Sequence, residues 1–358
     1  YGPAVAFVFG WMYIFVGPTG IGAVALVFAE NFGKLIGHSG VGVRLAAVGA
    51  IIIGAAASYR SVRGASALQG VATVGKVGAL VAIALAALLL GDGSAGAFGA
   101  GAPAPGEARW SGVGLGVVAA LWAYTGIQDM LPLAGEVRDP ARALPRALLT
   151  GTAIVVVIYL LANASYLYVL PYATLRASPL VASDAMVRVV GEVGAAAVAA
   201  AVMVSTFGTV NALVLTQPRM LYAMADAGLF FRPLARVHTR FATPHVAIVA
   251  YAVVAVIAVW SRSFEQLAEA FVLGVWPFLA LAVAGVLVLR RTRPELARPY
   301  RTPWYPVVPL IFVGGTLWVV GSALVARPVS TLAGVALTLI GLPVYAFWRH
   351  VTERRGRG

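Results

Sequence analysis

The 358-residue chain is 61% hydrophobic and only 11% charged, with a mean hydropathy of +0.90. A soluble domain carries about a quarter charged residues, so this composition is that of an integral membrane protein and overrides the two soluble domains that length alone suggests. The net charge of +13 does not point to nucleic acid, because the basic residues sit in short loops between apolar runs; the lack of cysteine excludes disulfides and cysteine-based metal or redox chemistry.

Ten stretches are long and apolar enough to cross a bilayer, at approximately 4–29, 42–58, 68–90, 113–133, 146–170, 193–217, 244–261, 266–289, 306–326 and 329–348. Alternate loops then fall on alternate sides. Of the 26 lysines and arginines, 18 fall on one side and 7 on the other, with Lys76 left inside a span. The positive-inside rule puts both ends of the chain in the cytoplasm. Lysine occurs only at Lys34 and Lys76, and with the heavy use of alanine, glycine and valine this fits a GC-rich bacterial genome.

The first span contains Gly17, Pro18, Thr19, Gly20 and Gly22. Small residues let helices approach closely, and helix packing is the favoured reading of this run. The third span carries Gln69, Gly70, Thr73, Gly75, Lys76 and Gly78. An ionisable side chain inside a membrane is a functional candidate by default. The plain alternative for Lys76 is snorkelling to the interface. The functional reading is favoured because the chain otherwise uses arginine for its basic positions, and lysine, unlike arginine, can lose its proton when desolvated. The glycine-, alanine- and proline-rich stretch 91–111 reads as a flexible outer connection.

The fourth span is interrupted. Its apolar run gives way at Trp122, Ala123, Tyr124, Thr125 and Gly126, with Gln128, Asp129 and Pro132 following. A break inside a bilayer is tolerated only where it lines a cavity or is buried in protein, and a broken helix points to a transporter's substrate site. Asp129 reads first as a helix cap and second as a group that meets a cationic substrate or a proton. The segment from Glu136 to Arg146 mixes both charge signs around Pro140 and Pro145; it reads equally as a helix stop with interfacial anchors or as an inner gate with breakable ion pairs.

The stretch from Tyr172 to Glu192 is too polar to span and reads as an outer loop with a short helix. Ser205, Thr206 and Asn211 lie within the sixth span. Hydroxyls there often bond only their own backbone, and adjacent Ser205 and Thr206 face differently, so only one can line a given site. The proline- and arginine-rich run 293–309 reads as an extended cytoplasmic loop, and the basic tail after Arg349 as a disordered one that can touch anionic lipid. His38, His238, His245 and His350 fall in loops or at span ends without metal spacing. No catalytic elbow or phosphate loop is present, so the expectation is no enzyme, no cofactor and no metal.

Several of these stretches together resemble the amino acid–polyamine–organocation (APC) permeases. Trp122-Ala123-Tyr124-Thr125-Gly126 is similar to the family's Phe-Ala-Tyr-x-Gly break in its sixth helix. Glu136 to Arg146 resembles its Glu-x-x-Asn/Asp-Pro-x-Arg-x-Leu-Pro loop, and Gln69 to Lys76 its Gln-x-x-x-Thr-x-x-Lys run with one spacing difference. Ser205-Thr206-Phe207-Gly208 with Asn211, then Pro218 to Gly228, resembles the eighth helix and the loop after it. Pro294 to Arg301 resembles the loop after the tenth helix, and Tyr1 to Trp11 the start of the third. Two positions depart: Pro132, and Gly135-Glu136 where a Glu-Glu pair is usual.

The resemblance covers essentially the whole chain. It implies an all-α LeuT-type fold of two inverted five-helix repeats with two peripheral helices. Residues 1–90 are then the remainder of the first repeat, 113–290 the second repeat with its break at 122–126, 291–348 the peripheral helices and 349–358 a basic cytoplasmic tail. This chain, which opens Tyr1-Gly2-Pro3, is expected to supply helices three to twelve, with the first two upstream of Tyr1.

The implied activity is amino acid transport across the cell membrane by alternating access, linked to protons through Lys76. An amino acid or polyamine exchanger and a non-transporting ligand sensor are the alternatives. Trp122 takes the place of an aromatic gate over the substrate. Ala123, Tyr124, Thr125 and Gly126 offer backbone groups to it, and Lys76 stands where sodium-coupled relatives hold an ion, with Ser205 or Thr206 nearby. The partners are then a small amino acid and membrane lipid, not nucleic acid; the substrate, the coupling ion and the oligomeric state stay open.

Overall fold

The computed structural model describes residues 1–60, 65–93, 110–126, 137, 139–298 and 300–355. Among the described residues there is no strand. In a bilayer each backbone N–H and C=O must be paired internally, and a long apolar run does this most simply as a helix. The described residues form twelve helices, in order: α1 (Pro3–Ile36), α2 (Val41–Arg60), α3 (Ala65–Leu90), α4 (Trp110–Ala123), α5 (Pro140–Val169), α6 (Tyr172–Ala177), α7 (Val181–Val190), α8 (Glu192–Asp226), α9 (His245–Ser261), α10 (Phe264–Thr292), α11 (Val307–Ala326) and α12 (Pro328–Arg355). A single 3-10 turn, Arg232–Ala235, separates α8 from α9.

Eight of these helices are long and apolar enough to cross a membrane, and two shorter apolar helices lie at Gly112–Ala123 and His245–Ser261. Together they fall on the ten stretches expected from hydropathy, although 127–133 of the fourth lies outside the described residues. The sequence reading differs from the structure in two places. The polar stretch after α5 holds two short helices, α6 and α7, rather than one. The basic tail is not wholly irregular either, since α12 continues through Arg355.

The contacts at the helix ends agree with the alternation of sides read from charge. On the outer side Lys34 pairs with Asp184 at 3.2 Å, Arg327 pairs with Glu269, and the Arg44 guanidinium donates to the Val259 and Trp260 carbonyls that end α9. On the inner side the Thr243 hydroxyl donates to the Tyr59 carbonyl at 2.8 Å, and the Arg290 guanidinium lies 3.7 Å from the centre of the Tyr305 ring. Each of these contacts joins segments assigned to the same side.

The molecule is built around α1, which packs against α2, α8, α9, α10 and α12. In lipid no hydrophobic drive separates helix from solvent, so close van der Waals packing holds the bundle. The glycines of α1 permit that closeness. A Cβ at Gly17 would stand 2.8 Å from the Tyr251 hydroxyl oxygen, and one at Gly20 would stand 2.8 Å from the Phe271 ring. Tyr251 is fully buried and donates to the Tyr13 carbonyl at 3.0 Å, so α9 is both packed and hydrogen-bonded onto α1. The run from Gly17 to Gly22 is thus a packing seam, and through Gly20 it also reaches a cavity.

Candidate functional site

α4 stops at Ala123, within the fourth apolar stretch of the sequence. The physical cause is local. Gly126 takes φ 121°, a backbone shape that side-chain-bearing residues rarely adopt. Ahead of it the helical bonds tighten to the three-residue spacing of a 3-10 turn: Tyr124 N–H to the Leu121 carbonyl at 3.2 Å and Thr125 N–H to the Trp122 carbonyl at 3.1 Å. The Thr125 hydroxyl also donates to the Leu121 carbonyl at 2.9 Å. A helix ending this way points its last carbonyls and the negative end of its dipole at whatever lies beyond. Such an end attracts an ammonium group.

Beside it lies a cavity of about 250 Å3. A water molecule occupies about 30 Å3 in the liquid, and drug-sized ligands need roughly 300 Å3 or more, so this volume suits a small molecule. The end of α4 forms one wall through Trp122, Ala123, Thr125 and Gly126. Gly20 and Val24 of α1, Tyr159 of α5, and Phe271 of α10 close other sides. Thr209, Leu213 and Gln217 form a stripe along α8, spaced by four residues so that all three share one face. The Trp122 ring meets Phe271 and Phe264 edge-on, at 5.6 and 6.2 Å between centres, which gives the cavity an aromatic cover.

Tyr124 is absent from the cavity wall. Its ring meets that of Tyr159 edge-on at 5.6 Å. Tyr159 in turn donates its hydroxyl to the Ala123 carbonyl at 3.2 Å, which answers one of the acceptors left over where α4 ends. α5 therefore braces the turn.

Lys76 reaches α8. Its ammonium donates to the Thr209 hydroxyl at 2.9 Å, and Thr209 passes a hydrogen bond to the Ser205 carbonyl at 3.0 Å. Among the described residues no carboxylate stands within ion-pair distance of Lys76. The lysine thus meets a hydroxyl that also lines the cavity. Ser205 contributes a backbone carbonyl to this chain of bonds. Thr206 donates to the Val202 carbonyl at 2.7 Å within its own helix, the plain alternative for a hydroxyl in a membrane helix. Asn211 sits elsewhere: its Cα packs toward Gly54 of α2, and it is not part of the cavity wall. Asp129 and the rest of 127–136 lie outside the described residues, as does the side chain of Gln69. Among the described residues no group of three histidine, aspartate or glutamate side chains could hold a metal ion.

Three polar residues of this arrangement escaped the sequence reading, as did the apolar Val24, Leu213 and Phe271. Thr209 carries a findable signal, since it lies four residues after Ser205 on the same helical face. Gln217 carries another, as a lone amide within an apolar helix. Tyr159 carries none, because its contact with Ala123 depends on how α5 crosses the end of α4.

The model of an amino acid permease family, described as "Amino acid permease", matches residues 1–345. The serine/threonine exchanger SteT of Bacillus subtilis (strain 168) is 29% identical over 351 residues, which span 96% of this chain and 78% of that protein. The human b(0,+)-type amino acid transporter 1 is 29% identical over 364 residues, 98% of this chain and 72% of that protein. The human cystine/glutamate transporter is 30% identical over 230 residues, 63% of this chain and 44% of that protein. With a family match that runs through nearly every helix, the chain belongs to the amino acid permease family and is a multi-pass, all-helical protein of the cell membrane.

Proposed function

We propose that this chain carries amino acids across the membrane by alternating access, with the substrate held in the cavity beside the end of α4. The observation that carries the reading is the juxtaposition of that helix end with the α8 stripe across about 250 Å3. The substrate's ammonium group meets the negative end of α4 at Ala123, Thr125 and Gly126, and Trp122 covers it. One helix bundle rocks against the rest of the protein, with segments 1–90 and 113–290 as the two repeats and 291–348 at the periphery. Tyr124 acts indirectly, through its contact with Tyr159.

Lys76 is the proton-linked element of this proposal. Protonated, it makes a charge-assisted bond to Thr209, roughly twice as strong as a neutral one, and ties α3 to α8. Without its proton that tie weakens and the two helices can part. The sign follows: the tie is present at lower pH and is lost as pH rises through the lysine's own titration. Ser205 supports it through the Thr209 bond; Thr206, Asn211 and Asp129 are secondary candidates.

Uptake of labelled amino acids by proteoliposomes containing the full-length protein tests the reading. Wild-type uptake should vary with pH, and Lys76→Ala should abolish that variation; a Lys76→Ala protein with the wild-type pH profile would sink the proton link. Trp122→Ala should weaken transport.

A second reading is exchange of one amino acid for another. It is favoured by the name of the serine/threonine exchanger, whose sequence this chain follows over 96% of its length. Preloading the vesicles with unlabelled amino acid decides it. Uptake that occurs only into preloaded vesicles means exchange, whereas uptake into empty vesicles under a pH gradient means proton coupling.

A further inference from the structure

One polar group in the cavity wall has no partner. Gln217 is only 4% exposed, and its Oε1 is buried without any hydrogen bond. Leaving a buried amide oxygen unpaired is costly, and native structures do so rarely. Three other polar side chains in the wall are engaged: Thr125 with the Leu121 carbonyl, Tyr159 with the Ala123 carbonyl, and Thr209 with both Lys76 and the Ser205 carbonyl. Among the described wall residues, Gln217 is thus the one with a buried side-chain oxygen or nitrogen left unpaired.

Its position along α8 adds a direction. Gln217 lies eight residues beyond Thr209, about 12 Å along the axis at 1.5 Å per residue, with Leu213 between them on the same face. A small amino acid whose ammonium group lies at the end of α4 can turn its side chain along this stripe. The described wall includes no acidic or basic side chain, so a charged substrate side chain would lose its water without gaining a counter-charge. A wholly apolar side chain would leave the Gln217 amide unanswered. A neutral side chain bearing a hydroxyl or amide answers it, because the glutamine amide offers both a donor and an acceptor.

We propose that Gln217 is the specificity-determining residue of this cavity and selects small, neutral amino acids with a hydrogen-bonding side chain over apolar ones of the same shape. This rests on the transport reading above. Threonine and valine are the appropriate pair, since they differ by a hydroxyl in place of a methyl. Sites that hydrogen-bond a substrate hydroxyl discriminate against the analogue lacking it, because the site's own polar group is then left unpaired.

The test is competition between labelled threonine and valine for uptake by the full-length protein in proteoliposomes. The wild type should prefer threonine by about tenfold, the scale of one net hydrogen bond. Gln217→Leu should bring the ratio close to one, and Gln217→Asn, which keeps the amide on a shorter stem, should fall between. A ratio does not depend on how much protein is reconstituted. A wild type that transports both equally overturns the proposal whether or not either variant folds. A threonine preference that survives intact in Gln217→Leu overturns it too, by moving the selectivity elsewhere. A wild type that takes up no amino acid at all, including into preloaded vesicles, instead brings down the transport reading itself.

Discussion

α1 and α3 are both membrane helices, yet they are held in opposite ways. In its most apolar window α1 has 61% of its residues buried within the protein, against 17% for α3 and 11% for α5. α1 is fixed by glycine-mediated contact with several neighbours at once. α3 and α5 present most of their surface outward; α3 packs on α5, α7 and α8, and among the described residues Lys76 to Thr209 and Tyr159 to the Ala123 carbonyl are side-chain hydrogen bonds by which the two helices reach the cavity region. A helix held by wide packing resists displacement, because packed surfaces do not deform continuously. A less buried helix that also shares a directional, charged bond with its neighbour can change state when that bond is made or broken. The chain's two lysines fall one on each kind of helix, Lys34 at the outer end of α1 and Lys76 inside α3.

The largest effect is expected at Lys76. Loss of a hydrogen bond to a charged group is worth about 1.5–3 kcal/mol, on the order of 10- to 150-fold in an equilibrium. Lys76→Ala should shift the balance between transport states by that much and flatten the pH profile of uptake, while the melting temperature in detergent changes little. A fall in melting temperature with the pH profile intact would make Lys76 a structural anchor and erase the contrast with α1.

On the packed side the sign reverses. Gly17→Leu forces a side chain into the space of the fully buried Tyr251, and overpacking of this kind costs about 1–3 kcal/mol. The expected outcome is a lowered melting temperature, with a pH profile of unchanged shape in whatever protein remains folded. A Gly17→Leu protein as stable as the wild type would mean that the seam along α1 is looser than its distances imply.

Tyr159→Phe is milder, since it removes a neutral hydrogen bond worth about 0.5–1.5 kcal/mol and keeps the ring against Tyr124. Uptake should fall several-fold, with the affinity for substrate affected because the Ala123 carbonyl is no longer fixed. An unchanged affinity would detach α5 from the site.

How far the sequence discloses this organisation follows from the range of each interaction. The spans are readable because burial in lipid demands a long unbroken apolar run, and that demand acts residue by residue. The stop at Ala123 is readable for the same reason: Tyr124, Thr125 and Gly126 interrupt the run locally. Lys76 is conspicuous as a charge where charges are expensive. Its contact with Thr209, by contrast, depends on the rotation and height of α3 against α8, which no local pattern encodes. Thus Ser205 and Thr206 look equivalent in sequence, although the lysine meets Thr209 and Thr206 bonds its own helix. Tyr124 looks like part of the exposed turn, but a ring on a neighbouring helix draws it aside. The pair of short helices α6 and α7 is similarly hidden, since six and ten residues give too few turns for a clear periodicity.

The smallest effect is expected at the other lysine. Lys34 meets Asp184 at 3.2 Å with the two side chains 28% and 35% exposed, so water and salt screen the pair and it contributes about 0–1 kcal/mol. Asp184 also keeps a second partner, the Ser178 hydroxyl at 2.6 Å, and stays hydrogen-bonded when the lysine is removed. Lys34→Ala should therefore leave both the rate of uptake and its pH profile at wild-type values, and any small loss of thermal stability should vanish in high salt, which already screens the pair. The measurement is a control with consequences. If removing Lys34 alters the pH profile as removing Lys76 does, then the proton response belongs to charge at the membrane surface, and the bond from Lys76 to Thr209 is not what sets it.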